Sequence, residues 1–137
     1  AFCHLLETLN QEFPNGEPDR AALFGAIRSI AADIGRHGEF NFLLSNGTCL
    51  FAHCTSRLAY IVRKAPFDEA HLKDQDITVD FRELTSPADR VVIVATTPLT
   101  DNENWITIPP GTLLLLEDGE PVDAGPADTI SIAPKST

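Results

Sequence analysis

The stretch from Val91 to Gly119 reads VVIVATTPLTDNENWITIPPGTLLLLEDG, and it decides how the chain folds. Residues 90–96, at its start, are rich in β-branched side chains and predict a central strand. A polar loop over residues 98–104 leads to a short strand at 105–108. After a Pro-Pro-Gly turn, residues 112–117 predict a last strand that ends in Asp-Gly. The stretch therefore predicts the closing strands of a mainly antiparallel sheet.

Residues 40–81 show the alternating pattern of further strands. Strands are predicted at residues 40–44, 48–54, 58–64 and 77–81. The first two form a hairpin, because Asn46-Gly47 tolerates the positive φ angles of a two-residue turn. Both are apolar on both faces, which is expected of a sheet that lies between two other layers.

Two amphipathic helices are predicted before the strands. The first runs from Ala1 to about Phe13 and ends at the breaker Pro14-Asn15-Gly16. The second begins near Asp19 and ends at Arg36-His37-Gly38. One apolar stripe must cover a hydrophobic surface: Leu23, Phe24, Ile27, Ile30, Ala31 and Ile34. Two helices followed by mainly antiparallel strands predict an α+β fold, with the helices as a layer on a sheet.

The composition is that of one acidic globular domain. The chain has 137 residues, and 20 Asp and Glu against 10 Lys and Arg give a net charge of −10. This charge repels phosphate backbones and anionic lipids, so neither nucleic acid nor a membrane is expected as a partner. Three cysteines fit reduced thiols in the cytoplasm better than a disulfide framework. Residues 1–122 are predicted to form the domain, and residues 123–137 a loose or disordered tail.

Four segments of the chain carry a family signal: FNFLLSNG at residues 40–47, RKAPF at 63–67, DQD at 74–76 and VATTPLTDNENW at 94–105. In this order they resemble the C-terminal half of YafJ-like class II glutamine amidotransferases, which have the N-terminal nucleophile hydrolase fold. The resemblance runs from Ala1 to about Val122, and the last segment is its most specific part. It implies a four-layer αββα sandwich of two antiparallel sheets, of which this chain would be the second half.

The resemblance also implies a chemistry. In this family an N-terminal cysteine attacks the side-chain amide of glutamine, ammonia leaves, and water hydrolyses the γ-glutamyl thioester. The α-amino group of that cysteine is the base, since its pKa lies near 8. An asparagine-glycine pair, an arginine and an aspartate hold the oxyanion and the substrate. All of these groups precede Ala1 in the family pattern. The chain is therefore expected to contain no catalytic, substrate-binding, metal or cofactor residue, and to be inactive alone.

Two motifs imitate the family's site. Cys3 lies inside the first helix with its nitrogen in a peptide bond, so it lacks the free amine that the mechanism requires. Asn46-Gly47 lies in a hairpin, where the family has an ordinary turn. Four other residues could form a zinc site or a cysteine-histidine dyad, but their spacing favours buried thiols and a core histidine: His4, Cys49, His53 and Cys54.

Two polar groups of residues have two interpretations each, and a third has one. Arg57, Arg63 and Lys64 could bind an anion, but on an acidic protein they are expected to pair with carboxylates. Residues 101–105, Asp-Asn-Glu-Asn-Trp, could shape the glutamine pocket of an upstream half; the favoured interpretation is a hydrogen-bonded loop anchored by the Trp105 indole. A solvated connection is predicted for His71, Asp74 and Asp76.

The first hypothesis is the scaffold half of a cytoplasmic enzyme that hydrolyses glutamine or a related γ-glutamyl amide. Its partner would be the upstream half of the same domain, because the first helix begins at Ala1 with no capping residue before it. The alternative is a non-catalytic α+β binding or subunit module that complements a partner chain. A third possibility is a hydrolase of the same fold with a serine or threonine nucleophile. Without its other half, the chain is expected to be oligomeric or poorly folded.

Overall fold

The computed structural model describes residues 1–64, 69–73, 77–80 and 89–126 of the chain. Two helices come first, α1 (Phe2–Glu12) and α2 (Arg20–Gly35), and the described strands follow. These are β1 (Phe42–Ser45), β2 (Leu50–Cys54), β3 (Ala59–Lys64), β4 (Glu69–Leu72), β5 (Ile77–Asp80), β6 (Arg90–Ala95), β7 (Ile106–Thr107), β8 (Thr112–Glu117) and β9 (Glu120–Pro126). All their pairings are antiparallel. The predicted α+β fold class is confirmed.

Helix α2 begins at the predicted cap and buries the predicted apolar stripe. The Asp19 carboxylate accepts a hydrogen bond from the Ala22 N–H at 2.8 Å, which satisfies one of the free donors of the first turn. Five of the six residues of the predicted stripe are buried, and Ile34 packs beside them half-buried. Neither of the two described helices is long and apolar enough to cross a membrane.

The strands form two larger sheets and a hairpin. The first sheet has the order β1-β2-β8-β9, the second has the order β6-β3-β7, and β4 pairs with β5 alone. Strands β2 and β8 lie in the middle of the first sheet. Nearly every residue in them is buried, including Leu113, Leu114, Leu115 and Leu116. A continuous apolar run thus marks a strand covered on both faces.

Two apolar layers follow from this arrangement. In the helix layer, α1 and α2 pack on one face of the first sheet, with Leu5, Ile27, Phe51 and Leu115 among its buried members. The intersheet layer lies between the two sheets and contains the alternate residues: Ala52, Cys54, Leu58, Tyr60, Ile108, Leu114 and Leu116. The described residues therefore stack as helices, sheet and sheet.

Three predictions about strands are wrong. Residues 90–96 do not form a central strand, because β3 occupies the middle of the second sheet and β6 lies at an edge of its described part. His71 does not lie in a connection between elements, since its backbone belongs to β4 and pairs with Thr78. Residues 123–126, assigned to the tail, lie in β9 and pair with β8. Asp74, Asp76 and residues 127–137 lie outside the described residues.

The β1–β2 turn also differs from the prediction. Ser45 pairs with Leu50, which leaves four residues between the strands instead of two. Gly47 has the positive φ, at 91°. The Asn46 side chain accepts hydrogen bonds from the N–H groups of Thr48 and Cys49, both at 2.9 Å. Asn46 therefore supports the turn through its side chain, as asparagine often does.

The β8–β9 turn joins the two sheets. Asp118 and Gly119 both have positive φ, 52° and 71°, as a tight hairpin turn requires. Directly after the turn, the Glu120 carboxylate binds Lys64 of β3 at 3.1 Å and Arg90 of β6 at 2.6 Å. These contacts fix the start of β9, in the first sheet, against the second sheet.

Candidate functional site

The described cysteines are poor candidates for a nucleophile. Cys3 is exposed on α1, and its backbone nitrogen lies in the helix. Cys49 and Cys54 are buried in different apolar layers, and burial raises the pKa of both thiols. Because the thiolate is the reactive form, a raised pKa leaves these two groups inert at neutral pH.

His53 is a core residue whose hydrogen bond is satisfied. Its side chain is buried and stacks on the Phe42 ring, with ring centroids 5.2 Å apart. Nδ1 donates to the Phe40 carbonyl at 2.8 Å, which places the ring hydrogen on that nitrogen. No group of three or more His, Cys, Asp or Glu side chains that could hold a metal occurs in the described part of the chain.

Acidification is expected to destabilise the protein through His53. Burial lowers the pKa of His53, so the folded state favours the neutral ring. A histidine in the unfolded chain binds a proton near pH 6.5. The free energy of unfolding should therefore not depend on His53 above that pH, and it should fall by up to about 1.4 kcal/mol per pH unit below it. His53→Phe keeps the ring stacking and removes the titration, so its chemical-denaturation profile should be flatter between pH 6.5 and 5.

The control for this experiment is His4→Phe, because His4 is exposed on α1. At pH 7 this variant should change the free energy of unfolding by less than about 0.5 kcal/mol. A His53→Phe profile as steep as the wild type would show that other groups cause the acid sensitivity.

A partly buried polar network holds residues 100–105, which we name the 100–105 loop, against strand β3. The Arg63 guanidinium donates to both oxygens of Glu103, at 2.8 and 2.5 Å. Thr100 donates its hydroxyl hydrogen to Glu103 Oε1 at 2.8 Å and accepts from the Trp105 indole N–H at 2.8 Å. The predicted hydrogen bonding of the loop, with the Trp105 indole N–H satisfied locally, is confirmed, and the role of Trp105 as a hydrophobic anchor stays a prediction.

The charges of Arg63 and Glu103 attract each other strongly. The Arg63 and Glu103 side chains are only 14% and 17% exposed, so their attraction is screened less than that of a surface pair. The two hydrogen bonds from Arg63, with that from Thr100, hold the pKa of the Glu103 carboxyl below its usual range although burial opposes them. Glu103 is therefore a fixed anion with a structural partner.

Thr100 was not among the candidates predicted from the sequence. It is 2% exposed, its backbone forms an antiparallel bridge with Leu72 at the end of β4, and its hydroxyl serves both Glu103 and Trp105. Thr100 thus joins the loop to the β4–β5 hairpin through its backbone and, through its side chain and Glu103, to strand β3. A threonine just before an acidic run is a weak signal, because its partners come from distant parts of the chain.

Two other basic residues were predicted to pair with carboxylates. Lys64 pairs with Glu120, which confirms the prediction for that residue. Arg57 is exposed, and the pairing predicted for it stays a prediction. A shallow groove lies between the C-terminal end of α1 and the N-terminal half of α2. Alanine and glycine residues of α2 form most of its wall. Since few polar groups converge there, it offers no chemistry.

Comparison with known proteins identifies relatives along the chain. The family model of class-II glutamine amidotransferases matches residues 1–137. A protein of Escherichia coli K12, provisionally named glutamine amidotransferase YafJ, is 45% identical over 89% of this chain and 48% of its own length. A provisionally named glutamine amidotransferase of Haemophilus influenzae Rd is 39% identical over 89% of this chain and 41% of its own length.

A solved structure shows the same fold. The crystal structure of a predicted glutamine amidotransferase from Pseudomonas aeruginosa PA01 matches with a TM-score of 0.76 at 45% identity. The match covers 89% of this chain and 48% of that one. The chain thus spans about half the length, or less, of the relatives it matches.

Proposed function

The chain belongs to the class II glutamine amidotransferase family, and from this membership we propose that it is the scaffold half of a domain that hydrolyses glutamine or a related γ-glutamyl amide. In this proposal an N-terminal cysteine outside these residues attacks the amide carbon. The C–N bond breaks, ammonia leaves with the transferred proton, and water then cleaves the thioester to release glutamate.

The observation that carries the proposal is the match of the family model along the whole chain, while more than half of each relative's length lies outside the matched region. The properties of the three cysteine thiols also support the proposal. Burial raises the pKa of Cys49 and Cys54, and Cys3 has no free amine to act as its base. A nucleophile outside the chain is therefore the simplest assignment.

The proposed contribution of these residues is geometric. Oxyanion donors must stand within hydrogen-bond distance of the developing charge, and the loss of one donor costs about 10² to 10³ in rate. Strands β2 and β8, buried on both faces, supply a rigid base for the catalytic strands. The 100–105 loop, held by Arg63 through Glu103, would present its exposed residues Asp101, Asn102 and Asn104 to the catalytic segment.

A direct assay tests whether the activity requires residues outside this chain. The full-length gene product should release ammonia from glutamine, and the 137-residue polypeptide should release none above the buffer blank. Glutamate formation followed by a coupled dehydrogenase assay measures both. The control is the full-length protein with its N-terminal cysteine replaced by alanine, which should be as inactive as the short chain.

Glutamine hydrolysis by the 137 residues alone would contradict the proposal. A full-length protein that is inactive on glutamine and on other γ-glutamyl amides, but binds a partner chain, would instead support the non-catalytic module.

A further inference from the structure

The β4–β5 hairpin is joined to the rest of the described chain at one short segment. Its two strands pair with each other and belong to neither of the larger sheets. Leu72 forms an antiparallel bridge with Thr100, and the Lys73 N–H donates to the Leu99 carbonyl at 3.1 Å. An isolated two-stranded hairpin is only marginally stable in water. The segment that contains Leu99 and Thr100 is therefore the backbone support that the described residues give the hairpin.

The 100–105 loop continues β7 beyond the end of its backbone pairing. Strand β7 pairs with β3 as far as Ile106, which lies opposite Tyr60. Followed backwards along the chain, the same register sets Glu103 opposite Arg63, and these two residues form the ion pair. Because the described ladder ends at Ile106, side chains and not backbone pairing hold the loop beside β3 at this point.

Thr100 connects the hairpin contact with the ion pair. Its backbone bridges Leu72 of β4, while its hydroxyl donates to Glu103 Oε1 and accepts from the Trp105 indole N–H, both at 2.8 Å. The same Glu103 oxygen accepts from the Arg63 guanidinium at 2.5 Å. A displacement of Glu103 therefore removes a partner of Thr100, and a displacement of Thr100 moves the segment on which the hairpin is held.

We propose that the β4–β5 hairpin and the 100–105 loop open away from β3 together, about the start of β7, and that the Arg63–Glu103 ion pair holds them closed. Strands β2 and β8 are buried on both faces and stay in place during this opening. The opening is a local event, which occurs more often than the unfolding of the whole domain. This inference goes beyond the proposed function and does not depend on glutamine hydrolysis.

Amide hydrogen exchange of the full-length gene product, followed by peptide mass spectrometry, tests the opening. In the wild type, the amides of β4 and β5 should exchange at least about 10-fold faster than those of β2 and β8. Arg63→Met removes the bidentate partner of Glu103. It should increase the exchange rate of β4 and β5 by at least a further factor of about 10, because the closed position loses its ion pair.

Gly119→Ala is the matched control, because it destabilises the whole domain from a point outside the network. A Cβ at Gly119 would lie 2.9 Å from the Arg90 carbonyl oxygen. This variant should speed the exchange of β2 and β8, which requires global unfolding, and change that of β4 and β5 by less than about 2-fold. Arg57→Met, on an exposed arginine, should change both rates by less than about 2-fold.

Thr100→Val provides a second test that leaves the Arg63–Glu103 pair in place. It removes both hydrogen bonds of the hydroxyl and should increase the exchange rate of β4 and β5 by at least about 3-fold. Unchanged exchange of β4 and β5 in Arg63→Met, or in Thr100→Val if Arg63→Met does not fold, would overturn the proposal. Equal acceleration of β4 and β5 by Arg63→Met and Gly119→Ala would also overturn it, because the hairpin would then exchange only through global unfolding.

Discussion

Replacing Arg63 with methionine is expected to lower the free energy of unfolding of the full-length gene product at pH 7 by about 2–4 kcal/mol. The substitution keeps much of the aliphatic side chain but leaves the Glu103 carboxylate, 17% exposed, without its bidentate partner. The largest part of the cost is that uncompensated charge and not the lost attraction. A urea titration monitored by circular dichroism measures the change.

The pH dependence of this variant has a definite sign. In the wild type the pKa of Glu103 is lowered, so the stability that the pair contributes is present above the unfolded pKa, near 4.3, and is lost as the pH falls through the folded pKa. The difference between the variant and the wild type should therefore shrink below about pH 4. Arg57→Met, on an exposed arginine, is the matched control and should change stability by less than about 0.5 kcal/mol. If Arg63→Met resembles that control, the network does not hold the loop.

Replacing Gly119 with alanine is expected to lower the free energy of unfolding by about 2–4 kcal/mol, as the sum of a left-handed backbone penalty and a clash. Gly119 has φ of 71°. A Cβ at this position would lie 2.9 Å from the Arg90 carbonyl oxygen and 3.0 Å from the Arg90 carbonyl carbon. Backbone atoms cannot rotate aside, so the β8–β9 turn would have to move off β6. Thermal and urea unfolding of the full-length protein measure the effect.

Gly111→Ala separates the two causes. Gly111 has a similar φ of 84°, but a Cβ there would meet no atom within 4 Å. Gly111→Ala should therefore lower the free energy of unfolding by the left-handed backbone penalty alone, about 1 kcal/mol. Equal losses in the two variants would mean that the close approach of the turn to β6 is unimportant.

The parts of the fold that were predicted correctly depend on local periodicity. The stripe of α2 and the Asp19 cap lie within one helix, and the apolar run Leu113–Leu116 needs only to be covered on both faces. The position of β6 was wrong because β-branched composition does not determine which neighbour a strand takes. Strand β9 was missed because its proline, glycine and alanine resemble a tail, and only its pairing with β8 makes it a strand.

In the candidate site, too, local contacts were predicted from the sequence and long-range contacts were not. The local hydrogen bond of the Trp105 indole was predicted, because a partly buried indole N–H needs a nearby acceptor. The partner of Glu103 is Arg63, 40 residues earlier in the chain, and only the fold brings them together. Thr100 was missed for that reason, since its importance comes from contacts with β4, Glu103 and Trp105 at once.

The alternating burial of β8 affects how the molecule unfolds. Leu113 and Leu115 belong to the helix layer, whereas Leu114 and Leu116 belong to the intersheet layer. One backbone segment thus serves two cores, and neither core can open fully while β8 stays in place. Amide hydrogens of β2 and β8 should accordingly exchange only through global unfolding, and the two cores should be lost as one cooperative unit.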